Sequence, residues 1–63
     1  MDYLLATCDK HLGIALRMLY AEQIQAYVET TLNDKGKIEF HVQFTASPER
    51  FAQLEQRFRI MIS

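Results

Sequence analysis

The chain has a single cysteine, Cys8, among its 63 residues. No bridge can form within it, whereas a secreted domain of this size normally carries several. A reducing, cytoplasmic setting is the expectation. Two glycines and one proline are too few for a low-complexity or linker-like segment. No apolar run approaches the roughly 20 residues of a membrane span, and Asp2 stands where a signal peptide would want basic residues. An excess of one charge is missing too. Seven Lys and Arg against eight Asp and Glu leave a net charge of -1, which gives neither nucleic acid nor an anionic membrane a reason to bind.

What is present is an ordinary globular composition, 49% hydrophobic and 24% charged. The chain reads as a single domain over 1–63, close to the lower size limit, since a domain this small buries only about 60% of its unfolded surface. The most legible stretch is Ile24 to Ala46, two alternating segments joined by Asn33-Asp34-Lys35-Gly36. That turn suits a type I geometry followed by a left-handed Gly36, the common three-residue hairpin loop with a bulge. It sets Leu32 opposite Ile38, Thr30 opposite Phe40, Val28 opposite Val42 and Ala26 opposite Phe44, all on one side. Thr31 with Glu39, Glu29 with His41, Tyr27 with Gln43 and Gln25 with Thr45 take the other. Turn chemistry and apolar alternation select the same register independently.

Tyr3 to Cys8 reads as a short strand, with Thr7 or Asp9 as the cap of a helix running to about Gln23. On that helix Cys8, Leu12, Ala15, Leu16, Leu19 and Tyr20 form one apolar stripe, leaving Ile14, Met18 and Ala21 on the flank and rear. Gly13 costs this helix about 1 kcal/mol relative to Ala. Ser47-Pro48-Glu49 is a clear helix start: a capping hydroxyl, a proline at the first helical position and an acid near the positive end of the dipole. The second helix repeats Phe51, Leu54, Phe58 and then Met61 or Ile62 at three and four residues, and is taken as running through Ile60-Met61-Ile62. Phe40, Phe44, Phe51 and Phe58 all point inward, as core.

Strand, helix, strand, strand, helix folds compactly when both helices lie on the apolar face of one antiparallel sheet, a two-layer α+β sandwich. A right-handed crossover places the first strand beside the third. This βαββα arrangement resembles a ferredoxin-like fold lacking its last strand. The segment from Leu16 to Val28 is similar in pattern to small ACT-like and PII-like regulatory domains, although Gln23 stands where those domains often place a glycine. The resemblance implies a regulatory module, but the glycine-rich ligand turn of true ACT domains has no counterpart after the first strand.

A three-stranded sheet leaves two open edges, of which the one on the first strand is where a fourth strand would have paired, and an uncovered apolar edge invites pairing. The expectation is a homodimer joined at that edge, with Tyr3 and Leu5 in the interface. The competing interface is helical, through Ile14, Met18 and Ala21, for a second copy or another protein. Three groupings carry potential chemistry. Cys8 and His11 supply half a metal site, but a structural zinc takes four ligands, and His41 belongs to the sheet face away from the helices. A buried, inert Cys8 is expected, with no metal and no cofactor. Glu29 and His41 resemble a base with its orienting carboxylate, and with Tyr27 they are the candidate ligand-binding residues of a small-ligand sensor or minimal enzyme. Tyr27 and His41 also suggest stacking on bases, against which the charge balance argues. No complete catalytic set occurs, so the leading expectation is a non-catalytic regulatory or protein-binding module.

Overall fold

The computed structural model describes residues 2–63. Its elements are β1 (Tyr3–Ala6), α1 (Asp9–Ala21), β2 (Ala26–Leu32), β3 (Ile38–Phe44) and α2 (Pro48–Ile62). The three strands form one antiparallel sheet in the order β1-β3-β2. This is the two-layer α+β arrangement expected from the sequence, a ferredoxin-like order without a fourth strand. No helix among the described residues is long and apolar enough to cross a membrane.

The hairpin register is the expected one at every pair from Ala26↔Phe44 to Leu32↔Ile38. Asn33 closes the turn. Its N–H donates to the Lys37 carbonyl at 2.9 Å and its carbonyl accepts from the Gly36 N–H at 2.9 Å. Its side-chain oxygen accepts from the Lys35 and Lys37 amides at 2.9 and 3.0 Å. Gly36 takes a φ of 74°, which a residue without Cβ adopts freely. β1 then adds to β3 with Leu4 opposite Val42 and Ala6 opposite Phe40, continuing the apolar side of the hairpin. Leu4, Val42, Leu19 and Leu54 are fully buried there, each worth roughly 1.5–3 kcal/mol. Phe44 stacks on Phe51 with ring centroids 5.2 Å apart, tying the end of β3 to the first turn of α2.

The second helix starts as expected. The Ser47 hydroxyl accepts from the Arg50 amide at 3.2 Å, and Pro48 opens the helix. The first helix departs from the sequence reading at both ends. β1 stops at Ala6, and Cys8 rather than Thr7 or Asp9 occupies the cap position, without a side-chain hydrogen bond. Helical structure ends at Ala21 rather than Gln23. Gln23 is left-handed, with φ 59°; its N–H donates to the Tyr20 carbonyl and the Ile24 N–H to the Leu19 carbonyl, both at 2.9 Å. These two bonds make a Schellman cap, usually built on glycine. Here a glutamine sits in the strained position.

The apolar stripe of α1 is also rotated from its expected place. Met18 is only 5% exposed and belongs to the core with Ala15 and Leu19, while Ile14 packs against it. Cys8 is exposed, and Tyr20 is 69% exposed. The reason is that α1 lies against α2 as well as over β1 and β3, so the buried arc is set by two contacts instead of one. Met18 is therefore core and no part of a helical docking patch. β2 is the less covered strand: its Val28 and Leu32, together with Ile38 opposite Leu32 on β3, lie on the same side of the sheet as the core residues and remain exposed.

Glu22 fastens the helix pair. It accepts from Arg57 at 2.6 Å and faces Arg50 at 2.8 Å, which offsets the poor placement of an acid at the negative end of α1. Hydrogen bonds from Arg57 and Arg50 hold its carboxyl below the ordinary value of 4.5.

Two backbone substitutions should each stabilise the fold. Gln23→Gly relieves the left-handed strain, and Gly13→Ala restores helix propensity where an added Cβ meets nothing within 4 Å. Urea denaturation is expected to show a gain of about 1 kcal/mol for each; a loss at either position would contradict the geometry. Because the Glu22 pKa is lowered on folding, its contribution is complete above about 4.5 and disappears as pH falls through the depressed value. Glu22→Gln should thus be less stable than the native chain at pH 7 and indistinguishable from it in strong acid, with the difference at pH 7 shrinking in high salt.

Candidate functional site

The sheet has one face under the helices and one without them. Alternation along the strands puts Tyr3, Leu5, Tyr27, Glu29, Thr31, Glu39, His41 and Gln43 on the helix-free face. At its centre the His41 ring lies parallel to Tyr3, with centroids 4.0 Å apart and planes 12° from parallel. His41 Nε2 is also 3.5 Å from the Thr31 hydroxyl. Glu29 stands directly opposite His41 in the register, yet the imidazole's contacts are with Tyr3 and Thr31. The candidate base-and-carboxylate pair is thus a cross-strand pairing without the side-chain hydrogen bond that would orient a general base. Tyr27 is exposed nearby on β2. The face is aromatic, and its carboxylates are Glu29 and Glu39, the latter accepting from Nδ2 of the Asn33 side chain at 3.3 Å.

Cys8 and His11 gain no further ligands. Among the described residues no group of three or more His, Cys, Asp and Glu side chains is placed to hold a metal ion. The inert, buried thiol expected from the sequence is instead exposed, because β1 ends two residues earlier and the junction turns Cys8 outward.

A concave feature of the surface lies at the open edge of β1. Tyr3, Leu4 and Leu5 form one wall of a groove of about 400 Å³, and Glu55, Phe58, Arg59 and Ile62 of α2 form the other. Leu4 and Phe58 make its floor, both essentially buried, and Tyr3 and Leu5 are 38% and 43% exposed at its lip. Arg59 and Glu55 approach each other at 3.8 Å along the helix. Beside this groove runs the edge of β1 that β3 does not cover, whose backbone donors and acceptors are open to another strand. The structure thus brings the candidate interface residues Tyr3 and Leu5 together in one feature. Ile14 is half-buried against the core, Met18 is inside it and Ala21 is exposed, so the helical candidates form no common surface.

The α2 wall is the part that sequence reading passed over. Glu55, Arg59 and Ile62 recur at four and three residues, a spacing that puts them on one line of a helix, but only the position of β1 shows that this line borders an open strand. An exposed cap cysteine also has a direct consequence. Cys8 should react with a thiol reagent as fast in the native protein as in denaturant, followed by absorbance; strong protection in the native state would return it to the core.

No protein-family model, curated protein or solved structure matches the chain.

Proposed function

We propose that this chain is a non-catalytic regulatory or protein-interaction module that works as a homodimer joined at the β1 edge. The observation that carries the reading is the unpaired edge of β1 beside an open, apolar-floored groove. A strand laid along that edge completes the backbone hydrogen bonds and sets alternate side chains against Phe58 and Ile62, the mode of recognition by strand addition. It also covers Tyr3 and Leu5. A domain of this size, with nine buried apolar residues in its core among the described residues, gains stability when such an edge is shared. An isologous contact between copies is the commonest way for small chains to do this.

Sedimentation equilibrium across protein concentration tests the reading. A reversible dimer is expected, and Leu5→Lys, which puts a charge at the lip of the groove, should shift it to monomer while leaving the circular dichroism spectrum unchanged. A folded native chain that stays monomeric at high concentration would sink the proposal.

A further inference from the structure

The walls of the groove specify more than an edge. α2 presents three arcs along its length. Phe51, Leu54 and Phe58 turn toward the core, Arg50 and Arg57 turn to Glu22 of α1, and Glu55, Arg59 and Ile62 line the groove. The third arc carries one acid and one base a helical turn apart. The strand wall opposite runs from Tyr3 to Leu5 and is centred on Leu4.

Two copies of β1 that pair about a two-fold axis run antiparallel, and directly opposite residues must lie on the same side of the sheet. Each residue then pairs with itself or with one an even number of positions away. Centring on Leu4 sets Leu4 against its own copy and Tyr3 against Leu5, joining the two exposed apolar side chains at the lip. The same axis runs the two α2 helices antiparallel on the helix side, and a helix arc with an acid and a base one turn apart is self-complementary under that operation.

We propose that the second copy docks isologously about Leu4, with Glu55 of each α2 opposite Arg59 of the other. This rests on the edge-paired dimer proposed above and names the residues that orient it. The intrachain contact of Glu55 with Arg59, at 3.8 Å, then becomes part of a four-residue network of alternating charge. A parallel or shifted approach of the helices would instead set acid against acid and base against base, so the pair also selects the antiparallel arrangement.

Charge reversal tests the pairing. Glu55→Arg makes the arc wholly basic and Arg59→Glu makes it wholly acidic, and neither side chain belongs to the buried core, so each variant should fold with native circular dichroism. Each variant alone is expected to dimerise at least about tenfold more weakly in sedimentation equilibrium. Mixed in equal amounts, the two should recover the native affinity as a heterodimer. The double exchange, Glu55→Arg with Arg59→Glu, should dimerise like the native chain. If Leu5→Lys disrupts a native dimer while both single reversals leave it unchanged, the edge reading stands and this docking geometry is overturned. Equal weakening of the single variants, their mixture and the double exchange would also overturn it, by showing that charge matching across the axis plays no part. A monomeric native chain would remove the edge reading itself.

Discussion

The hydrogen bonds of Asn33 and the positive φ of Gly36 decide which side of the sheet each residue of β2 and β3 faces. Strand side chains alternate with period two, so a turn shifted by one residue would exchange Phe40, Val42 and Phe44 for Glu39, His41 and Gln43 on the side under the helices. Everything else follows from that parity. β3 is the central strand, and its inward residues are paired on both flanks, Val42 with Leu4 on one and Val28 on the other. The helices have one apolar surface on which to pack, and the aromatic stack of Tyr3 on His41 falls on the other.

The helix layer does not cover this surface evenly. α1 sits over β1 and β3 and leans on α2, which leaves the inward side of β2 partly in water. The ion pairs of Glu22 with Arg50 and Arg57 hold the two helices at their common flank and leave the far flank of α2 to form the groove wall. The position of the groove is therefore set from two directions, by the end of the sheet at β1 and by the arginines that turn α2 toward α1.

Much of this was legible in the sequence, and the limits have physical causes. The hairpin register could be read because turn chemistry and alternation are local and agree. The start of α2 could be read because Ser47 and Pro48 act within a few residues. The phase of α1 could not, since Met18 is buried by contact with partners that come from distant parts of the chain, and a projection on one face cannot anticipate two. The end of α1 could be read only to within a few residues, because a left-handed Gln23 has no compositional signature, unlike a glycine. At the candidate site, Tyr3 and Leu5 were legible as members of an edge strand, whereas the other wall of the groove needed the placement of α2. His41 was correctly assigned opposite Glu29, but its ring partner comes from β1, whose register against β3 lies outside the hairpin pattern.

The strand order has a bearing on how the chain assembles. β2 and β3 are joined by a tight turn, while β1 is separated from β3 in the chain by α1, β2 and that turn. Closing the longer loop costs more chain entropy, and contacts between distant segments form more slowly. The hairpin is thus the natural nucleus, and β1 is the strand whose docking depends on structure already in place. The strand that closes the longest loop is therefore the one that carries the open edge of the sheet and one wall of the groove.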